Sequence, residues 1–282
     1  QALDANTTGE KNTAVGSNAL GSNTANQNTA MGYYALSTNS TGTTNTAIGV
    51  QSMHLNTTGS RNTSIGHFCL DANTTADRNT AIGFQALTAN TTGSYNTAVG
   101  DATLEANTTG HNNCAFGQAA LASNQTANGN TAIGTFCMDA NTTGTNNCAV
   151  GLHALGSNTT ASYNTAVGHG AMQSNVTGAE CTAVGLNALY ANTTSYNTAV
   201  GSQCLDAVTT GSANTGVGRG VLSEVTTGSN NTCVGYNAGF NLNSGANTLV
   251  GYDAGVSMTT GSSNTILGYY TGRNITTGSQ NV

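Results

Sequence analysis

The hydrophobic and polar positions of this chain repeat rather than drift. Residues 12–16 read NTAVG, residues 28–32 NTAMG and residues 45–49 NTAIG, so an apolar residue stands before a glycine each time. That glycine recurs at Gly16, Gly32, Gly49, Gly66, Gly83, Gly100 and onward to Gly268, 17 residues apart in most steps and 16 apart in three. One unit reads N-T-A-[VI]-G-x-x-A-L-x-x-N-T-T-G-x-x; its positions are numbered 1 to 17 below. The short units lose their residue between the leucine and the next NTA, so that segment is a turn and the NTA-[VI]-G word is the fixed element. A longer period lies over the first. Residues 1–8 (QALDANTT), 68–75 (FCLDANTT), 136–143 (FCMDANTT) and 203–210 (QCLDAVTT) recur about every four units, as a duplicated block would.

Seventeen residues are too few for a pair of helices and fit one coil of a β-solenoid. The expected fold is all-β: a β-solenoid (β-roll) of about 16 coils running as a single domain over residues 1–282, an excerpt of a longer fibrous chain. At about 4.8 Å per coil it would extend roughly 75–80 Å. Positions 1–5 are expected to form one strand and positions 7–10 a second, with N-T-T-G closing the coil. Side chains alternate along a strand, so Thr at position 2 and Val or Ile at position 4 share one face and Ala at position 3 takes the other. Position 4 is always large and apolar, which assigns it to the interior with Leu20, Leu36, Leu70, Leu87, Leu104, Leu121 and Leu155. On that assignment Ile82→Asp buries an unpaired charge and costs several kcal/mol. Position 3 then points outward. Ala14, Ala30, Ala47, Ala81, Ala98, Ala132, Ala166 and Ala199 form an uncharged stripe of small residues, the expected self-association surface of a homo-oligomer, foremost a homotrimer of parallel chains.

Composition sharpens this picture. Proline and tryptophan are absent, and there are 5 Lys or Arg against 11 Asp or Glu. Proline cannot donate to a continuous ladder. A charge repeated in every coil would repel its neighbours about 4.8 Å away, whereas Asn and Thr stack without that penalty. The net charge of −6 is thinly spread and gives no footprint for nucleic acid. No run of apolar residues is long enough to span a membrane.

Little in the sequence points to catalysis. Of the seven cysteines, Cys69, Cys137 and Cys204 stand at position 8, Cys114 and Cys148 at position 2, Cys181 at position 1 and Cys233 at position 3, where they read as small buried filler. Equivalent cysteines could meet only across an oligomer axis, and no CxxC marks a zinc site. His54, His67, His111, His153 and His169 fall at scattered turn positions, and no Ser-His-Asp or paired-carboxylate arrangement recurs. Residues 216–220 (GVGRG) imitate part of a dinucleotide loop without the helix it needs. No cofactor or metal is expected, and the chain reads as a non-enzyme. The richest surface signal is N-x-T. Asn6, Asn56, Asn73, Asn90, Asn107, Asn141, Asn158 and Asn192 begin such sequons at one edge of successive coils, with Asn39, Asn124, Asn175 and Asn274 as variants. They are candidate glycosylation sites, set against an unmodified Asn/Thr turn ladder.

The motif T-A-[VI]-G-x-x-A-L resembles the S-x-A-[IV]-G-x-x-A repeat in the heads of trimeric autotransporter adhesins of the YadA type, and the full unit is similar to repeats of phage and bacterial tail-fibre-like proteins. The resemblance covers essentially the whole chain. It implies a β-roll wound as a trimer, with Val15, Ile48, Ile82, Val99, Ile133 and Val167 packed inside and Gly16, Gly49 and Gly83 turning the chain. The period departs from the adhesin repeat, which is nearer 14 residues. The expected function is a structural or adhesive fibre shaft, extracellular or on a cell or virion surface, whose partner is itself or surface glycans. The alternatives are an ice-binding β-solenoid and a glycan-decorated filament subunit. Ice binding usually wants T-x-T on one strand face, whereas the threonines here are adjacent. A polysaccharide-cleaving solenoid would need a carboxylate cluster that the dispersed acids do not supply.

Overall fold

A computed structural model describes residues 1–282. It is all-β and contains 16 strands of three residues each, with no helix. Two compact units are present, residues 1–145 and 146–282. The first holds β1 (Thr13–Val15), β2 (Thr29–Met31), β3 (Thr46–Ile48), β4 (Thr63–Ile65), β5 (Thr80–Ile82), β6 (Thr97–Val99), β7 (Cys114–Phe116) and β8 (Thr131–Ile133). The second holds β9 (Cys148–Val150), β10 (Thr165–Val167), β11 (Thr182–Val184), β12 (Thr198–Val200), β13 (Thr215–Val217), β14 (Thr232–Val234), β15 (Thr248–Val250) and β16 (Thr265–Leu267). Within each unit consecutive strands pair in parallel and in register, Thr80 on Thr97 and Ala81 on Ala98 for example. The repeating word is therefore the strand, and each repeat is one coil of a β-solenoid.

The expected second strand does not form. Positions 7, 9 and 17 take left-handed backbone in coil after coil, as at Gln85 (φ 54°), Leu87 (φ 53°) and Tyr95 (φ 63°). That conformation costs a residue with a Cβ roughly 1–2 kcal/mol. Two gains offset it. The Leu87 amide donates to the carbonyl of Thr103 in the next coil at 3.0 Å. Its side chain is fully buried, and burying a leucine stabilises by about 1.5–3 kcal/mol. Position 5 is stricter. Gly83 has φ 137°, and a Cβ there would collide with the Gly100 carbonyl of the next coil, so only glycine fits.

The facing of the strand is the reverse of the expected one. Ala30, Ala47, Ala81, Ala98, Ala132, Ala166 and Ala199 are fully buried, and Ala14 in the first coil is partly so. Position 4 faces solvent: Val15, Ile82, Ile133 and Val167 are exposed, while Ile48 and Val99 are half-buried. The alternation of side chains is as expected, but its phase is opposite. Position 3 packs against the other wall of the coil, at positions 8 and 9. A Cβ added at Gly216 would meet Cys204 Sγ at 2.6 Å and Leu205 Cδ1 at 3.3 Å. Where serine replaces alanine in both walls, the buried Ser52 and Ser64 hydroxyls bond to each other at 2.7 Å. The interior is too narrow for a branched residue at position 3 together with leucine at position 9, so the larger side chain turns out. The leucines from Leu20 to Leu155 named above are all buried as expected.

Candidate interaction face

Two properties of each coil decide what the surface can offer: which side chains the stacking consumes and which it leaves free. The asparagines are consumed. At position 12, Asn56 Nδ2 donates to Asn39 Oδ1 of the preceding coil at 2.8 Å and to the Gly59 carbonyl at 3.0 Å. Asn73, Asn90, Asn107, Asn124 and Asn141 repeat this in the first unit. Asn175 and Asn192 extend it from Asn158 in the second. At position 1, Asn45 Oδ1 accepts the Asn62 amide at 3.0 Å and Asn45 Nδ2 donates to the Gly59 carbonyl of the next coil at 2.8 Å. Both rows are buried.

This corrects the glycosylation reading. Asn39, Asn56, Asn73, Asn90, Asn107, Asn124, Asn141, Asn158, Asn175 and Asn192 are fully buried, and Asn6 is partly buried with its amide on the Gly9 carbonyl. Carboxamides with both ends bonded inside the coil cannot carry a glycan. Asn274 is exposed because it lies one residue off the row, where Ile275 takes the ladder position.

The second unit closes its ladder deliberately. Asn192 Oδ1, with no asparagine in the next coil, accepts from Asn197 Nδ2 at 2.9 Å and from the Thr194 hydroxyl at 3.4 Å. Val208, Val225, Leu242 and Met258 then occupy the position, fully buried. The core changes with it. Leu249 and Ile266 replace alanine at position 3, while Gly239, Gly255 and Gly272 replace leucine at position 9. A Cβ at Gly255 would lie 3.1 Å from Leu249 Cδ1, so the exchange conserves volume.

What remains free is the outer face of the strands. Thr or Cys at position 2 and Val, Ile, Met, Phe or Leu at position 4 stand in two parallel rows in each unit, without one charged residue. Beyond the turn glycine, position 6 adds aromatic stacks. His67 lies on Phe84 at 5.7 Å between centroids, Tyr236 on Tyr252 at 5.0 Å and Tyr252 on Tyr269 at 5.3 Å. Arg219 sits 5.5 Å from the Tyr236 ring centroid and donates to its hydroxyl at 2.9 Å. Cys114 and Cys148 stand half-buried in the threonine row, so they are not interior filler; the other five cysteines are buried.

Comparison with family models and with curated proteins gives no match.

One polar cluster escaped the sequence reading because its members are a whole coil apart. Ser37, His54 and Asp71 occupy position 10 of three successive coils. Ser37 Oγ and His54 Nδ1 are 2.6 Å apart at a shallow cleft of about 310 Å³, which Gly21 leaves open and Asp4, Asn18 and Tyr34 help to line. Burial pushes the Asp71 carboxyl up, His54 and His67 pull it back, and its Oδ1 has no partner. Asp71 makes no hydrogen bond to the His54 ring and Ser37 is only 5% exposed, so the row lacks the oriented base and open nucleophile that acyl transfer requires. No group of three or more metal-ligating side chains occurs, and no helix is long and apolar enough to cross a membrane.

Proposed function

We propose that the chain is a structural fibre shaft, displayed outside a cell or on a virion surface. The observation that carries this reading is the use of side chains. In each unit two buried asparagine positions, the alanine–leucine core and the backbone amides are spent on joining a coil to its neighbours. A shaft transmits force along such a stack. The resemblance to adhesin heads and tail-fibre repeats supports the same reading, as does a surface that presents rows rather than a site. Buried sequons argue against the glycan-decorated alternative. Pulling single molecules by their termini tests the proposal: release should come in steps that are multiples of roughly 60 Å, the extended length of one 17-residue coil. Collapse of the whole chain at forces near thermal noise would overturn it.

The outward threonine row favours a second reading. Threonine beside an aliphatic residue at fixed spacing is a surface on which water can be ordered, so an ice-binding role remains the alternative, tested by thermal hysteresis.

A further inference from the structure

We propose that the outer strand face, Thr at position 2 with Val or Ile at position 4, is covered by a second copy of this chain. The inference deepens the fibre reading and rests on it. The expected self-association surface was the alanine stripe, which is interior; the structure leaves a different stripe available.

Three observations carry the proposal. First, the face is uncharged in every strand, and the aliphatic row beside its threonines stays accessible although stacked neighbours flank it: Met31 is 42% exposed, Ile82 36% and Val200 38%. Second, spacing restricts the partner. Contacts over eight successive coils require a partner repeating at the strand spacing of about 4.8 Å. A helix with a turn of about 5.4 Å drifts out of step by roughly 5 Å over eight coils, one whole layer. A parallel stack of this same chain stays in step. Short branched side chains repeating in register on two facing sheets, about 10 Å apart, can interdigitate as a dry zipper. Third, the area fits a weak, reversible contact. A three-residue strand at these spacings offers about 50 Å², so eight strands give about 400 Å² per unit. Two such faces bury about 800 Å² in total, in the range of weak, reversible interfaces.

Sedimentation of the purified full chain at tens of micromolar tests the idea, with Ile65→Lys, Ile82→Lys, Val184→Lys and Val200→Lys combined in one variant. All four side chains are exposed, so the core is untouched. The wild type should sediment at a multiple of 28.1 kDa and the variant at 28.1 kDa, with unchanged circular dichroism. A control with Thr92→Lys and Thr109→Lys, exposed on the N-T-T-G turn and outside the strand face, should keep the wild-type mass. A monomeric wild type, or an oligomer that survives the four lysines, overturns the proposal. Thermal hysteresis from a monomeric wild type would assign the face to ice instead. Neither result touches the single-molecule pulling outcome, which alone decides the fibre reading.

Discussion

Asn107 lies inside a ladder that should fail in a way ordinary buried residues do not. Its Nδ2 donates to Asn90 Oδ1 at 2.8 Å and to the Gly110 carbonyl at 3.0 Å, and its Oδ1 accepts from Asn124 Nδ2 at 2.8 Å. Asn107→Ala removes all three bonds. The Gly110 carbonyl keeps Asn96 Nδ2 at 2.8 Å, and Asn124 keeps the Ala127 carbonyl at 3.2 Å. Asn90 Oδ1 is left buried with no donor. A net hydrogen bond contributes about 0.5–1.5 kcal/mol and an orphaned buried acceptor costs about 1–3 kcal/mol, so the substitution should destabilise the first unit by roughly 2–5 kcal/mol. Valine at the same site fills the space but orphans the same oxygen, and should cost nearly as much. Replacing Asn73, Asn90 and Asn107 together by valine orphans groups only at the ends of the run. The triple variant should therefore cost well under three times the single one. Native-state hydrogen exchange on the amides around the site, beside urea unfolding, measures both quantities without assuming a single transition for the array. A loss below about 1 kcal/mol for Asn107→Ala, or strict additivity in the triple variant, would refute the ladder as a source of stability.

Burial pushes the thiols of Cys69 and Cys204 up to about 11 and about 12, so both stay protonated; in native protein near pH 8 a thiol reagent should label quickly only Cys114 and Cys148, and all seven after denaturation. Gly255→Leu should overpack the core against Leu249 and cost about 1–3 kcal/mol, and adding Leu249→Ala should recover much of that loss in thermal melts. Glycan attachment to ladder asparagines on the unfolded chain should block folding, so secretion through a glycosylating host should yield misfolded protein that tunicamycin rescues; a soluble folded product with glycans on Asn56 and Asn73 would contradict their inward placement.

Much of this architecture is legible in the sequence, and the errors have physical causes. The recurrence of the glycine every 16 or 17 residues reveals the coil, because a left-handed turn under the next coil's carbonyl admits nothing else. The leucine at position 9 reads as core and is core. Alternation along the strand fixes that positions 3 and 4 oppose each other but leaves two phases, and size favours the wrong one. The correct phase is written in exchanges between distant positions: Ser52 with Ser64, and Leu249 with Gly255. Side chains that trade volume or polarity must touch. The asparagines mislead similarly, since N-T-T is at once a sequon and a ladder. Val208, Val225, Leu242 and Met258 at the same position are the clue, because apolar residues do not replace a solvated turn asparagine. The Ser37–His54 contact has no local signature, as its two members lie 17 residues apart.

The facing of the strand is the claim on which the core, the ladder and the outer face all depend, and two adjacent residues test it. Ala81 is fully buried against the second wall of its coil, and Ile82 is 36% exposed beside it. Aspartate at each position, compared by urea unfolding, gives opposite answers for the two phases. The account predicts that Ala81→Asp buries an unpaired carboxylate and costs at least about 3 kcal/mol, while Ile82→Asp, whose carboxylate can reach water in the single chain, costs markedly less. A large loss from Ile82→Asp with a tolerated Ala81→Asp would contradict it.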